Sequence, residues 1–252
     1  MTDNLILILA HQDDEMFIFN RIHHHKNKKK IFIFYMTSGL DENLKKDEVN
    51  HRNIESLKVL LKMGVSKRNI RFIGGKLSIK VNTLYKSMEK AFNELSREVN
   101  KIRGPKVIIT HALEGGHEDH DACYYLTKKL SFKKKDVLKI YQFPAYHGKN
   151  LPFIFYKVQS PLKENGSINS KKICLLSRFK FIYLLFTYVS QIKVWIGLYP
   201  FIILNFLLKR NDKLQEVPKN ILIRKPHLGK LLYEKRGFCK YLVFKKYVKK
   251  FL

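Results

Sequence analysis

The chain has 252 residues, 45% of them hydrophobic, enough to bury a sizeable core, so disorder does not describe it as a whole. It carries 49 Lys and Arg against 21 Asp and Glu, a formal net charge of +28. No stretch reaches the roughly 18 uncharged apolar residues of a membrane span, which excludes a polytopic membrane protein. Three widely spaced cysteines, Cys123, Cys174 and Cys239, fit neither a disulfide scaffold nor a cysteine-rich zinc cluster. They read as small core residues in a reducing cytoplasm.

The N-terminus, MTDNLILILAHQDDE, reaches an acidic motif after a short apolar run and has no basic region before it, so it reads as a first strand and not as a secretory signal. Short apolar runs at Leu5–Leu9, Ile31–Met36, Ile70–Ile73 and Val107–Thr110 predict strands. Between them, Val49–Met63, Tyr85–Ile102 and a segment opening at His120–Leu130 carry helical periodicity. Alternation of this kind predicts βαβ units and an α/β fold, a doubly wound, Rossmann-like, mostly parallel sheet. Val137–Gln142 predicts a further strand, Gly74-Gly75 a turn, and the runs Lys28–Lys30 and Lys133–Lys135 solvated loops between elements.

Past about residue 160 the texture changes, which divides the chain into a Rossmann-like core over 1–160 and a helical, basic and aromatic region over 161–252, packed on the core or facing a membrane. Residues 173–252 hold 17 basic and 3 acidic side chains. Such a field attracts phosphate in any form, whether nucleic acid, anionic headgroup or sugar diphosphate; a lysine-rich compositional bias is the plainer account. Phe179–Leu208, broken by Lys193, Gly197 and Pro200, predicts two helices apolar nearly all round. They read either as a buried pair or as an interfacial element whose flanking Arg178, Lys180, Lys209 and Arg210 meet anionic headgroups. The tail, Tyr233–Leu252, predicts a basic amphipathic helix after Gly237 that suits either role.

Ligands of open α/β sheets bind beyond the carboxyl ends of the strands. Here those ends carry AHQDDE at 10–15, TSG at 37–39, Gly74-Gly75 and HALEGGHEDH at 111–120. His11 and Asp14 are three apart at one strand-to-helix turn, and His117 and His120 are three apart at another, so each pair can face one side. Two imidazoles and a carboxylate with an open position form the donor set of a catalytic zinc site. Asp13, a neighbouring carboxylate outside that set, is placed to take a proton from water. Helix capping accounts for Asp14 or Glu15 singly but not for both loops together. His111 reads equally as a pocket residue or a satisfied buried histidine. His23-His24-His25 point in different directions on a helix and read as a surface cluster.

On these motifs the chain resembles the PIG-L / LmbE-like family of zinc-dependent N-deacetylases, which remove acetyl from N-acetylglucosamine-type amino sugars. The family signatures Ala-His-Pro-Asp-Asp-Glu and Gly-His-Pro-Asp-His appear as AHQDDE at 10–15 and GHEDH at 116–120. Gln12 and Glu118 replace the two motif prolines, which is expected to loosen both turns without removing a ligand. The resemblance implies that His11, Asp14 and His120 bind Zn2+, that Asp13 is the general base, and that His117 stabilises the oxyanion or protonates the leaving amine. It also implies that Asp119 orients a neighbouring histidine. TSG at 37–39, the Arg-x-x-Glu pattern of Arg52 and Glu55, and MGV at 63–65 extend the likeness, with Arg52 similar to the arginine that reaches substrate. It covers about residues 3–130. Shorter strings, EGGHEDHDA at 114–122, YVSQ at 188–191 and LYEKRGF at 232–238, resemble the branch found with bacterial surface-polysaccharide genes.

The resemblance implies an N-acetylated amino-sugar substrate, and the basic, aromatic C-terminal third suggests that it is phosphate- or lipid-linked and met at the inner face of the cytoplasmic membrane by a cytoplasmic, peripherally associated enzyme. Two other readings stand beside it. One is a metal-dependent hydrolase of an ester or carbamoyl bond. The other is a basic nucleic-acid-binding module with a vestigial site; nucleic acid is not the expected partner, because every ligand position is occupied.

Overall fold

The computed structural model describes residues 3–40, 46–191, 196–208, 211–218 and 222–252. Lys193, expected to break the apolar segment, and Lys209 and Arg210, expected to flank it, lie outside the described residues. Nine strands are described: β1 (Asn4–Leu9), β2 (Ile31–Tyr35), β3 (Ile70–Phe72), β4 (Lys106–His111), β5 (Val137–Phe143), β6 (Tyr146–His147), β7 (Lys157–Val158), β8 (Ile168–Lys172) and β9 (Asn211–Glu216). The helices are α1 (Phe19–His24), α2 (Lys46–Lys62), α3 (Ile73–Lys76), α4 (Met88–Asn100), α5 (Glu118–Lys133), α6 (Leu175–Leu185), α7 (Tyr199–Leu208), α8 (Leu232–Lys235) and α9 (Tyr241–Phe251).

One seven-stranded sheet has the order β3-β2-β1-β4-β5-β9-β8. Strands β1 to β5 pair in parallel, whereas β9 runs antiparallel to β5, and β8 antiparallel to β9. The expected α/β sheet is therefore present, with helices on both faces. β1, NLILIL, is buried along its whole length, as a central parallel strand covered on both sides must be. Its residues divide by parity. Ile6 and Ile8 join the core under α4, α5 and α9, while Leu5, Leu7 and Leu9 join the core under α1, α2, α6 and α7. The chain moves outward from β1 to β2 on one side and to β4 on the other, so the crevice of this doubly wound sheet opens between the carboxyl ends of β1 and β4.

The C-terminal region is helical at α6, α7 and α9, as expected, but it also supplies β8 and β9, which extend the same sheet. β8 reads INSKK and is largely exposed, without the alternation that marks a half-buried strand, and its lysines blunt an open edge. The tail helix α9 packs Tyr241, Phe244, Val248 and Phe251 into the α4–α5 side of the core. The apolar helices α6 and α7 lie on the opposite side.

Three local expectations need correction. Gly74-Gly75 is not a turn but lies within the short helix α3. Lys28–Lys30 is not a wholly solvated loop, because Lys28 Nζ donates to the carbonyls of Ile22 and His23 at the end of α1, where a cation satisfies orphan acceptors. Cys174 is exposed and not a core residue; Cys123 and Cys239 are buried as expected.

Candidate active site

The turn after β1 carries the first half of the site. Asp13 adopts φ 98°, a left-handed conformation that costs a non-glycine residue about 1–3 kcal/mol and persists where surrounding bonds fix it. Its backbone amide is held by Glu15 Oε2 at 3.0 Å and by Ser56 Oγ at 3.2 Å. Glu15 Oε1 in turn accepts from the Tyr188 hydroxyl at 2.8 Å. Gln12 does not leave the turn loose in place of the motif proline: its Nε2 donates to Asn53 Oδ1 at 2.6 Å and to the Ser38 carbonyl at 3.3 Å, tying the turn to α2 and to the loop after β2.

The loop after β4 carries the second half. Glu114 and Gly115 both donate their amides to Asp121 Oδ1 at 3.2 Å, and Glu114 Oε1 accepts the amides of Ala145 and Tyr146 at 2.7 and 2.9 Å. A Cβ on Gly116 would lie 1.9 Å from the Tyr146 carbonyl oxygen, so only glycine lets these two backbones approach. His117 caps α5, its Nδ1 accepting the Asp119 amide at 3.1 Å. Neutral His117 therefore carries its proton on Nε2.

The two halves meet in the crevice. His11, Asp14 and His120 each offer a ligand atom, and these lie within 4.8 Å of one another. His11, His117 and Asp119 form a second such group, and among the described residues there is no third. His120 Nε2 is 3.3 Å from Asp14 Oδ1. His120 Nδ1 is buried without a hydrogen-bond partner and Nε2 faces the Asp14 carboxylate, a costly arrangement for a structural histidine and a natural one for a metal ligand. His11 Nε2 lies 3.1 Å from Asp119 Oδ2, which makes it the donor and leaves Nδ1 bare, 3.6 Å from Asp14 Oδ2. Asp119 is itself fixed by the amides of Asn82 and Leu84, at 2.7 and 3.0 Å. Carboxylate, imidazole and open ligand nitrogen thus form the chain seen where an outer carboxylate sets the tautomer of a metal-binding histidine. The donor set fits a divalent metal with nitrogen and oxygen ligands.

Electrostatics separates the adjacent aspartates. Burial raises Asp14, but the imidazoles of His111 and His120 outweigh it and hold the carboxyl well below the usual range. Burial raises Asp13 to about 8, against the pull of the Arg52 guanidinium. Burial also pushes His117 well below its ordinary value, so its ring is neutral.

Arg52 stands at the rim, its Nη1 donating to the Gly39 carbonyl at 2.7 Å and its Nη2 to the Gln12 carbonyl at 3.3 Å. His111 lies beneath, stacked on His120 with ring centroids 3.8 Å apart and accepting the Ala10 amide on Nε2 at 3.1 Å. Every sequence-predicted site residue, His11, Asp13, Asp14, Arg52, His117, Asp119 and His120, therefore belongs to this one crevice or its rim. The histidines at 23–25 form no metal-binding group.

Part of the rim had no assigned role in the sequence. The Tyr146 ring lies 5.4 Å from His120, and the Arg236 guanidinium sits over Tyr146 and Tyr156 at 5.9 and 5.2 Å. Phe238 faces His117 at 6.2 Å. Arg236 and Phe238 come from the LYEKRGF string, which docks through the Leu232 amide on the Gly115 carbonyl at 2.9 Å. That string was the available signal. The YVSQ string works likewise, since Ser190 bonds both carboxylate oxygens of Glu55 and Tyr188 bonds Glu15.

The family model described as PIG-L, GlcNAc-PI de-N-acetylase, matches residues 6–131, half of the chain and all of the residues that build the metal-binding group. The chain belongs to the PIG-L family. A PIG-L member is a metal-dependent N-deacetylase, a hydrolase of an amide C–N bond acting on N-acetylglucosamine-like sugars. No curated protein sequence matches this PIG-L chain. Among solved structures it is similar to a pseudoaglycone deacetylase of an antimicrobial compound, at 14% identity and TM-score 0.62, over 88% of this chain and 100% of that one. The zinc-inhibited form of teicoplanin deacetylase is similar at 13% identity and TM-score 0.60, over 86% and 98% of the two chains. N,N'-diacetylchitobiose deacetylase from Pyrococcus horikoshii follows at 15% identity and TM-score 0.55, over 86% and 84%. At these identities the likeness shows a shared fold.

Proposed function

We propose that this PIG-L protein removes the N-acetyl group from an N-acetylglucosamine-type sugar carried on a phosphate- or lipid-linked precursor, within bacterial surface-polysaccharide synthesis. The reading places it in the cytoplasm, peripheral to the inner face of the membrane. The observation that carries it is the meeting of His11, Asp14 and His120 in the sheet crevice, with Asp13 beside them. These three residues would hold Zn2+. The chemistry a zinc ion supplies when held there is Lewis acidity, which polarises a carbonyl and makes water nucleophilic at neutral pH.

The chain's own groups do the rest. Asp13 takes the proton of the attacking water, and burial sets its pKa near 8, in the range where a carboxyl both accepts and returns a proton at neutral pH. His117, with Nδ1 engaged by the Asp119 amide, presents Nε2–H as a neutral donor to the developing oxyanion. Protonated Asp13 then delivers its proton to the leaving amine. Asp119 orients His11 and so acts as a positioning residue. Arg52 and Arg236, the cations at the rim, bind the substrate's hydroxyl and phosphate oxygens.

Product analysis on N-acetylhexosamine phosphates tests this. Deacetylation frees acetate and a primary amine in equal amounts; an ester or carbamoyl hydrolase frees no acetate from these substrates, and that result would reject the reading.

A further inference from the structure

α6 and α7 lie side by side, the Phe181 and Phe206 rings 5.6 Å apart and Arg178 Nη1 bonded to the Leu207 carbonyl at 3.3 Å. Each helix buries one face against the sheet, through Phe181, Leu184 and Leu185 on α6 and Ile202 and Phe206 on α7. The opposite face is also apolar, and it is exposed: Leu176, Phe179 and Tyr183 on α6, and Phe201, Leu204 and Leu208 on α7, with Leu176 82% and Leu208 75% accessible. The sheet needs only one apolar face from each helix, so the second is unexplained by folding. A neighbouring loop adds Phe153, Ile154 and Phe155, all exposed.

Charge identifies the occupant. From residue 165 to residue 211 the chain has no Asp or Glu and seven Lys or Arg, including Arg178 and Lys180 on α6 itself. A second copy of this chain would bring another +28 against the first, so association through this face is opposed by like charge. A bilayer containing anionic lipid matches both properties, accepting aromatic and aliphatic side chains at the acyl boundary and cations among its headgroups. No described helix is long and apolar enough to cross a membrane, so these helices rest on the surface.

The face also leads to the site. Phe201 contacts Tyr156 at 5.9 Å between ring centroids, Tyr156 contacts Tyr146 at 5.7 Å, and Tyr146 contacts His120 at 5.4 Å. We infer that the exposed face of α6 and α7, with the Phe153–Phe155 loop, docks on an anionic membrane surface and holds the mouth of the crevice at headgroup level. This inference extends the proposed peripheral location to a particular surface, and it stands or falls separately from the deacetylation chemistry.

The test is sedimentation of the full chain with vesicles of phosphatidylcholine alone or with about one-third phosphatidylglycerol, alongside deacetylation of a short soluble N-acetylhexosaminide. The wild type should partition onto the anionic vesicles, less so as salt rises, and poorly onto neutral ones. The double variant Leu176→Glu/Leu208→Glu, altered at two exposed positions, should lose about tenfold or more in partition coefficient and keep its rate on the soluble substrate. Equal vesicle binding by the variant would overturn the inference. So would absence of wild-type binding, or a wild-type dimer in solution that the variant converts to monomer, which would assign the face to a second copy. Retained binding with an inactive wild type would leave the docking surface intact and count against the deacetylase reading instead.

Discussion

At the scale of single residues, the site depends on giving two adjacent carboxylates different tasks. Asp14 faces imidazoles and stays ionised, as a ligand must, whereas Asp13 is buried on a left-handed backbone and pushed to about 8. Asp13→Asn should therefore lower kcat by about 10²–10⁴ and leave metal content unchanged, as measured by turnover and metal analysis on the same preparation. Loss of metal together with activity would make Asp13 a ligand and not a base. The identities of these residues were legible in the sequence because two short motifs, each after a strand, contain every donor. The supports were not. Nothing in local spacing shows that Asp119 reaches back 108 positions to His11, or that His111 stacks under His120. Both contacts exist only once β1 and β4 are neighbours.

At the scale of elements, the C-terminal segments act as struts for the loops after β1 and β4. Tyr188 holds Glu15, Ser190 holds Glu55, and Leu232 holds Gly115. Tyr188→Phe removes one donor from the buried Glu15 carboxyl and should cost about 1–3 kcal/mol of stability, read as a lower urea midpoint with unchanged slope. An unchanged midpoint would show that the strut is dispensable. The central strands were legible because parallel strands buried on both faces are near-continuous apolar runs. β8 was not, since an exposed, lysine-bearing edge strand has the composition of a loop until its partner is known, and neither was β9, NDKLQE, which lies inside the sheet but buries only Leu214 and Gln215. The helices of Phe179–Leu208 were legible as helices, and their two apolar faces were visible as an excess of hydrophobicity without a direction.

At the scale of the whole molecule, stability should respond to pH through histidines that fold in neutral. His147 is buried, donates Nε2–H to the Ser160 carbonyl at 2.9 Å, accepts the Lys149 amide on Nδ1 at 3.2 Å, and is lowered by burial to about 4. An unfolded histidine titrates near 6.5. Between these values the unfolded chain binds a proton that the folded chain does not, so this contribution is complete above about pH 6.5 and is lost as pH falls towards 4. Urea midpoints at pH 7 and pH 5 should differ more for the wild type than for His147→Gln. An equal difference would place the acid sensitivity elsewhere. On the same scale, the net charge of +28 is legible in composition alone, but only the fold gathers an acid-free stretch onto two adjacent helices beside the crevice.

The most direct test of the metal-dependent centre is the metal content of the purified chain, by plasma mass spectrometry, for the wild type and for His120→Ala. About one zinc per wild-type chain is expected, with loss of that zinc in the variant, because the buried His120 has a ring nitrogen that no hydrogen bond satisfies. A wild type that binds no metal even after reconstitution, or a His120→Ala protein that keeps its zinc, would contradict that expectation.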